Sequence, residues 1–171
     1  MSVLGTGSTS FEAERRGASR VLATDSFAWT SYQENGKAGF ELARNELGSR
    51  VEDTEIDVLD LSPDRVGRFD LVLFLGVLYH MRHPLLALEK VASVAKDQLI
   101  VETHVDMLAI DPPAMAFYPG TELNNDPTNR CGPNPAMVHA LLKAAGFRRV
   151  QTFAGPFRLP TSTRMTFHAW K

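Results

Sequence analysis

Residues that could perform chemistry are concentrated in two short stretches, GVLYHMRHP at 76–84 and ETHVD at 102–106. The first follows the uncharged run FDLVLFLG and supplies Tyr79 and His80, and the second supplies His104. A histidine can take a proton from a bound hydroxyl or amine near neutral pH, and a tyrosine adds a rigid ring with a donor at its tip. We predict His104 as the first candidate base, His80 as the second, and Tyr79 as a further catalytic residue.

The same histidines raise the alternative of a metal site. Four side chains fall at the ends of two strands that we expect to be neighbours: His80, His83, His104 and Asp106. Three imidazoles and a carboxylate could bind Zn²⁺ or Fe²⁺. The H-x-x-H spacing on a loop is not the i, i+4 spacing that places two imidazoles on one helical face. We therefore predict no metal, and a metal-dependent hydrolase using His80, His83 and His104 is the less favoured alternative.

Alternating strand and helix patterns position these residues. Apolar and β-branched runs predict strands at 20–25, within 51–61, and at 69–76, 98–104, 149–155 and 164–170. Helical periodicity and capping residues predict helices at 10–18, 36–49, 84–95 and 134–147. This alternation is typical of a doubly wound, mostly parallel α/β sheet with helices on both faces. The last two strands have no helix between them, which predicts an antiparallel pair at the C-terminal edge.

Capping residues mark several helix ends. Asn134 is a predicted N-cap followed by Pro135 at the first helical position, and Ser62 with Pro63 repeats the pattern. Gly48 follows the last turn of a predicted helix, where a left-handed backbone is common.

Residues 106–133 interrupt the alternation, because they contain five prolines and no helical period. A long irregular loop in a compact domain is usually functional or disordered, and its position after a strand favours function. We predict one domain over 1–171, with this stretch as an irregular loop insertion. The residues predicted to line an acceptor pocket are Tyr118, Asn124, Asn125 and Arg130.

Ligands of open α/β sheets bind beyond the carboxyl ends of the strands, near the switch point of strand order. There Asp25 can accept hydrogen bonds from both ribose hydroxyls of an adenosine cofactor, and Asp57 can accept one from the adenine amine. Glycines let the backbone approach a ligand closely. The predicted cofactor-binding residues are Gly5, Gly7, Asp25, Ser26, Asp57, Val58, Gly76, Val77 and Leu78.

Composition narrows the class of protein. The net charge of −2 and the pI near 6.2 give no electrostatic reason for strong nucleic-acid binding. The single cysteine, Cys131, excludes an internal disulfide and fits a reducing compartment. The sequence has neither a signal-peptide pattern nor an apolar run long enough to span a bilayer, so we expect a cytoplasmic protein without membrane contact.

Four segments resemble the class I S-adenosylmethionine-dependent methyltransferases: SFEAERRGASRVLATDSF, FDLVLFLGVLYHMRHPL, LIVETHVD and NPAMVHALLKAAGF. Within that class they are similar to the group related to the tRNA wobble-uridine (carboxy)methyltransferase. The resemblance covers most of the chain in the expected order, and GVLYHMRHP is its most specific part. It implies a seven-stranded Rossmann-like sheet with a reversed last strand, and S-adenosylmethionine as cofactor. The residues to which it assigns cofactor roles are Gly7, Asp25, Asp57, Val58 and Gly76.

The resemblance also bears on the transferred group and on the acceptor. In the carboxymethyl-transferring relatives, the tyrosine that matches Tyr79 helps to hold an extra carboxylate of the cofactor, and Arg164 resembles an arginine of that site. At the start of the chain, MSVLGTGST stands where relatives have a full strand ending VLDIG, so the first strand is truncated and its acid is absent. The larger basic N-terminal part of the family is absent as well, which disfavours a tRNA acceptor.

We predict a methyltransferase that transfers the methyl group in line to a small-molecule or nucleoside acceptor. Since the methyl group on a sulfonium is already activated, the protein mainly supplies proximity and orientation. The alternative is a non-catalytic or truncated methyltransferase-like binding domain.

Overall fold

A computed structural model describes residues 1–5, 7–30, 36–158 and 163–171. One sheet is formed by β1 (Ser2–Gly5), β2 (Arg20–Asp25), β3 (Glu52–Glu55), β4 (Phe69–Leu75), β5 (Ala95–His104), β8 (Arg149–Arg158) and β9 (Thr163–Trp170). A separate two-stranded ribbon is formed by β6 (Met115–Phe117) and β7 (Cys131–Pro133). The helices are α1 (Gly7–Arg15), α2 (Phe27–Thr30), α3 (Ala38–Glu46), α4 (Pro63–Val66), α5 (Pro84–Val94) and α6 (Pro135–Ala144).

The main sheet has seven strands in the order β3-β2-β1-β4-β5-β9-β8. The first five strands are parallel, while β9 is antiparallel to both β5 and β8. The predicted α/β class is therefore confirmed, with a Rossmann-like, mostly parallel sheet and one reversed strand. The predicted antiparallel pair at the C-terminal edge is confirmed: β8 forms the edge, and β9 lies between β8 and β5. Because β9 follows β8 without a crossover helix, it returns antiparallel and also fills the free side of β5.

The first strand is as short as predicted, yet it holds a central place in the sheet. It has four residues, and all four pair with β2 from Ser2↔Arg20 to Gly5↔Ala23. Val3 and Leu4 also pair with β4. Since strand order reverses around β1, its carboxyl end marks the switch point at which ligands of this architecture bind.

Apolar residues are buried on both faces of the sheet. The larger core lies on the side of α5 and α6, and its fully buried side chains include Phe69, Leu88, Leu99, Leu142 and Phe167. A smaller core on the opposite face contains Ala18, Val21, Ala23, Phe40 and Val51. Each fully buried side chain of this size contributes about 1.5–3 kcal/mol of transfer free energy, which fixes the strand ends in place.

Two of the three predicted caps are confirmed. Asn134 accepts a hydrogen bond from the backbone N–H of Met137 and so caps α6, and Gly48 has a φ of 56° beyond α3. Ser62 does stand before α4, but its side chain makes no capping hydrogen bond. Ser62 therefore has the predicted N-cap position without the side-chain bond, and Pro63 begins the helix as predicted.

The stretch 106–133 is less irregular than predicted, because it contains β6 and β7 and is anchored by backbone hydrogen bonds. The N–H of Asp106 donates to Pro133 at 3.2 Å, and the N–H of Tyr118 donates to Arg130 at 2.9 Å. The N–H of Arg130 in turn donates to the carbonyl of Tyr79 at 2.8 Å. The segment therefore lies against the residues that follow β4. None of the helices in the described ranges is long and apolar enough to cross a membrane.

Candidate active site at the carboxyl ends of the strands

Glycines end the two central strands, where a ligand of this fold would approach. Gly5 is buried at the end of β1, and a Cβ there would lie 3.5 Å from Leu73 and 3.6 Å from the hydroxyl of Ser10. Gly76 follows β4 with a φ of 73°, a conformation that side chains rarely adopt. A Cβ on Gly76 would lie 3.4 Å from Nη2 of Arg164. A side chain at Gly5 would make only ordinary contacts, whereas the backbone at Gly76 favours glycine.

Asp25, the predicted ribose contact, is the last residue of β2 and is half-buried. Its Oδ1 accepts a hydrogen bond from the N–H of Ala28 at 2.9 Å, so it also orders the start of α2. The carbonyl of Ser26 accepts from the N–H of Thr30 at 3.0 Å in the same turn. Gly7 begins α1 directly after the switch point. The cofactor roles of these residues stay predictions.

Asp57 and Val58 follow β3 in a short 3₁₀ turn. Asp57 is exposed, and its Oδ1 accepts from the N–H of Leu59 at 2.8 Å. Val58 is half-buried against the larger core. An exposed carboxylate beside a half-buried apolar side chain is consistent with the predicted adenine contact, which stays a prediction.

Val77 and Leu78, the two apolar residues after β4 that are predicted to bind the cofactor, differ in their burial. Leu78 is fully buried in the larger core, so its side chain cannot contact a ligand without a change in packing. Val77 is half-buried and packs against that core from outside. The sequence pattern did not distinguish them, because both follow the strand in a run of apolar residues.

An ion pair that joins β5 to β9 lies next to Gly76. Arg164 donates through Nε and Nη2 to the two carboxylate oxygens of Glu102, the second bond being 2.6 Å long. Both side chains are more than three-quarters buried, with 22% and 23% of their surfaces exposed. The guanidinium carbon lies 4.7 Å from the ring centroid of Tyr79, a cation–π contact. The hydrogen bond from Arg164 to Glu102 is the main cause that raises the pKa of Arg164.

His104 is the end of a buried chain of three polar side chains. Its Nε2 lies 3.1 Å from the hydroxyl of Tyr118, which donates to Oδ2 of Asp106 at 2.6 Å. His104 and Tyr118 are 5% and 9% exposed. Tyr79 meets His104 edge-on, with ring centroids 6.3 Å apart. Three residues predicted for different tasks, Tyr79, His104 and Tyr118, are thus brought together.

The protonation states of this chain follow from burial and hydrogen bonding. Burial is the largest effect on His104 and lowers its pKa, although Asp106 opposes the shift. The hydrogen bond from Tyr118 lowers the pKa of Asp106, while burial and Asp106 raise that of Tyr118. At neutral pH the arrangement is therefore a neutral imidazole, a neutral phenol and a carboxylate.

The hydrogen-bond partner of His80 is Thr128, in the segment 106–133. Its Nδ1 lies 3.1 Å from both the carbonyl and the hydroxyl of Thr128. Thr128 in turn donates to Oδ1 of Asp126 from its N–H and its hydroxyl. The ring also packs on Tyr79, with centroids 4.2 Å apart. The geometry gives His80 a structural partner, and its catalytic role stays a prediction.

Two of the four residues predicted to line the acceptor pocket, Asn124 and Asn125, lie in an exposed turn. Asn124 and Asn125 are exposed and have φ values of 61° and 55°, a left-handed turn that asparagine tolerates well. Arg130 is half-buried, and its backbone joins the loop to Tyr79. The structure brings Tyr118 and Arg130 to the site but gives no contact that brings the two asparagines there.

The predicted metal alternative has no geometric support within the described ranges, where no group of three or more His, Cys, Asp or Glu side chains could hold a metal ion. His83 is an exposed residue before α5, and Nε2 of His104 is bonded to Tyr118. The residues that sequence reasoning missed as partners are Glu102 for Arg164 and Asp106 for Tyr118. Because side chains alternate between the two faces of a strand, the sequence ETHVD already places Glu102 and His104 on the same face of β5.

Comparison with solved structures identifies the fold. The chain is similar to the N-terminal domain of EvdMO1 with SAH bound, at a TM-score of 0.74 and 20% identity, over 99% of this chain and 74% of that one. It is similar to the Burkholderia thailandensis 1,6-didemethyltoxoflavin-N1-methyltransferase with its acceptor and S-adenosylhomocysteine bound (TM-score 0.67, 19% identity, 99% of this chain and 70% of that one). The [4+2]-cyclase SpnF is also similar, at a TM-score of 0.72 and 16% identity, over 99% of this chain and 74% of that one.

These likenesses establish a Rossmann-like fold and leave the reaction to the site, since one of the similar structures is named as a cyclase. They give no support to the narrower resemblance to the wobble-uridine group. No known protein family matches the sequence, and no curated protein does.

Proposed function

We propose that this chain is an S-adenosylmethionine-dependent methyltransferase that acts on a small molecule. The observation that carries the proposal is the set of groups at the carboxyl ends of β1 to β4, namely Gly5, Asp25, Asp57 and Gly76. Two solved structures with this fold contain S-adenosylhomocysteine (SAH), and one of them is named as a methyltransferase of a small heterocycle.

The donors and acceptors of the site fit such a cofactor. An adenosine group offers hydrogen-bond donors at two ribose hydroxyls and one amine, and Asp25 and Asp57 are acceptors in the order expected along the sheet. Gly76 would leave room for a ligand beside the backbone, since a Cβ there would approach Arg164.

When bound, the cofactor supplies an activated methyl group on a sulfonium. The chain's own residues then have three tasks. Asp25, Asp57 and the glycines bind and orient, Tyr79 and the anchored loop exclude water, and His104 is the proposed proton acceptor. Proximity and orientation of this kind can supply about 7–11 kcal/mol of a barrier, and a base adds about 10²–10⁴-fold when the acceptor is a hydroxyl or amine.

The ion pair supports methyl transfer over carboxymethyl transfer. In the carboxymethyl-transferring relatives, a tyrosine and an arginine hold an extra carboxylate on the cofactor. Here Glu102 already occupies Nε and Nη2 of Arg164. The guanidinium is therefore already neutralised by a mostly buried carboxylate, which weakens its attraction for a second carboxylate on the cofactor.

Calorimetric titration with S-adenosylmethionine and S-adenosylhomocysteine tests the proposal. We expect saturable binding of both, and Asp25→Asn should weaken it about tenfold or more, because a charged hydrogen bond contributes about 1.5–3 kcal/mol. Asparagine can still accept from the N–H of Ala28, so α2 is preserved. Asp64→Asn, which changes an exposed acid of α4, is the matched control and should bind as the unaltered protein does.

Absence of binding at millimolar concentrations of both compounds would refute the proposal. Where binding is found, release of S-adenosylhomocysteine in the presence of a panel of phenols, aliphatic hydroxyls and amines identifies the acceptor class. A second candidate function is a non-catalytic cofactor-binding domain, which is favoured by the lack of any acid between Met1 and Phe11. That candidate predicts binding without turnover of any member of the panel.

A further inference from the structure

The hydrogen bonds around Tyr118 determine which nitrogen of His104 carries the proton. The carboxylate of Asp106 is only an acceptor, so Tyr118 must use its single hydroxyl hydrogen in their 2.6 Å bond. The phenol oxygen then offers only a lone pair to Nε2 of His104, 3.1 Å away. Nε2 must therefore be the protonated nitrogen of the neutral ring, and Nδ1 carries the free lone pair.

Nδ1 of His104 is a buried polar atom without a hydrogen bond among the described residues. Such atoms are rare in native proteins, because burying an unpaired acceptor is unfavourable, and they often mark catalytic or ligand-facing positions. It stands at the end of β5, in the residue that pairs with Arg164 of β9. Nδ1 is therefore the nitrogen that the contact with Tyr118 leaves over, and the backbone of Thr163 on β9 is the other polar group near the ring.

We propose that Tyr118 and Asp106 are positioning residues that hold His104 in the Nε2–H form, so that Nδ1 receives the proton of the methyl acceptor. This inference rests on the proposed function. In the transfer, the acceptor's oxygen or nitrogen forms the bond to the methyl carbon, and the carbon–sulfur bond breaks with its electron pair going to sulfur. The acceptor's proton goes to Nδ1, and the resulting imidazolium is stabilised through Nε2 by Tyr118 and Asp106.

Close packing against Gly132 restricts the positions of Tyr118 and Asp106. A Cβ on Gly132 would lie 2.3 Å from the hydroxyl oxygen of Tyr118 and 2.8 Å from Cβ of Asp106, so only glycine fits between them. The N–H of Met107 donates to the other oxygen of Asp106 at 2.6 Å. Since Asp106 is held from both sides, the direction of the Tyr118 hydrogen bond is fixed as well.

Other groups near the imidazole define the competing arrangement. Besides burial, which lowers the pKa of His104, Arg164 also lowers it, whereas Asp106 and the backbone of Thr163 raise it. Tyr79 contributes the edge contact of its ring. If the carbonyl of Thr163 controlled the ring, Nδ1 would carry the proton and Nε2 would be the acceptor. The two arrangements predict opposite tautomers.

Long-range ¹H–¹⁵N spectra of histidine-labelled protein test the inference without any cofactor or acceptor. We expect His104 as the neutral Nε2–H tautomer at neutral pH, assigned by its loss in His104→Gln. In Asp106→Asn, the new amide donates to the phenol oxygen, which frees the hydroxyl hydrogen of Tyr118 for Nε2. The tautomer should then switch to Nδ1–H, a change that loss of a merely structural contact would not produce.

Asp126→Asn is the matched control, because Asp126 orders the same loop through Thr128 and contacts neither His104 nor Tyr118. Its His104 signals should stay those of the unaltered protein. Observation of the Nδ1–H form in the unaltered protein, or an unchanged tautomer in folded Asp106→Asn, would overturn the inference.

A kinetic readout separates this inference from the proposed function. With an acceptor that turns over, Asp106→Asn should lower kcat roughly 10²-fold or more and leave the affinity for S-adenosylhomocysteine unchanged. Failure of S-adenosylhomocysteine to bind the unaltered protein would refute the proposed function, while the tautomer measurement would still decide whether Tyr118 and Asp106 position His104. Equal kcat values for the unaltered protein and Asp106→Asn would refute the inference alone.

Discussion

Replacing Gly132 by alanine is the sharpest structural test of the contact between the loop and the sheet. The added methyl group would lie 2.3 Å from the hydroxyl oxygen of Tyr118, 2.8 Å from Cβ of Asp106 and 3.1 Å from Cζ of Tyr118. Contacts below 3.0 Å between a Cβ and other heavy atoms do not occur in relaxed structures, so Tyr118 or Asp106 must move. Gly132 has no left-handed backbone, so the effect is steric alone.

The magnitude follows from what that movement breaks. Overpacking of a well-packed site typically costs about 1–3 kcal/mol, and losing a hydrogen bond to a carboxylate adds about 1.5–3 kcal/mol. We expect Gly132→Ala to lower the free energy of unfolding by roughly 2.5–6 kcal/mol. Gly39→Ala is the matched control, because Gly39 is exposed within α3 and a Cβ there meets nothing within 4 Å. It should stabilise the protein by up to about 1 kcal/mol through helix propensity.

Urea unfolding followed by far-ultraviolet circular dichroism measures both variants. The Tyr118→Phe change provides an internal check, since it removes the closest atom and leaves Cζ at 3.1 Å. Gly132→Ala should therefore be less destabilising in the Tyr118→Phe background, as a double-mutant cycle would show. Equal stability of Gly132→Ala and the unaltered protein would refute the tight packing of Asp106, Tyr118 and His104.

Three further predictions concern stability and are measured by the midpoint of urea unfolding. Arg164→Gln should lower stability by about 1–3 kcal/mol because it leaves Glu102 unpaired and mostly buried, and adding Glu102→Gln should restore part of the loss. Asn134→Ala should cost more than the roughly 1 kcal/mol of an ordinary N-cap, because this fully buried side chain also bonds to Ala114, Ile110 and Pro112. Burial lowers the pKa of His104, His139 and His168 from 6.5, so the unfolded chain binds more protons at mildly acidic pH. Stability should be highest above about pH 6.5 and fall as the pH drops below it; a midpoint that is constant between about pH 7 and about pH 5 would contradict this.

Local patterns predicted the fold well, because its elements have strong signals of their own. The uncharged run before Gly76 could only be a buried strand, and Asn134 with Pro135 starts α6 where the sequence indicated. The place of β9 was not predicted, since pairing between β5 and β9 depends on which edge is free after the first five strands assemble. No local pattern encodes that choice.

The candidate site was predicted in its residue types and only partly in its contacts. His104, Tyr79 and Tyr118 were identified as chemical residues, and the structure places them together. The bond from Tyr118 to Asp106 depends on how the loop returns along β7, which its prolines and glycines do not specify. The left-handed turn at Asn124 and Asn125 was not foreseen, because asparagine is as typical of such a turn as of a polar pocket, and their place in an acceptor pocket stays a prediction.

The reversed strand has a consequence for how the chain acquires its structure during synthesis. β8 has no neighbour in the sheet other than β9, and β9 is also the only cover for the second side of β5 among the described strands. A nascent chain that has exposed residues up to 158 therefore presents an unpaired strand and an open sheet edge at the same time. Only when residues 163–170 leave the ribosome can β9 pair with both β8 and β5, so the sheet is completed late in synthesis. Until then the incomplete sheet exposes unpaired strand edges, which are sites of aggregation in partly folded chains.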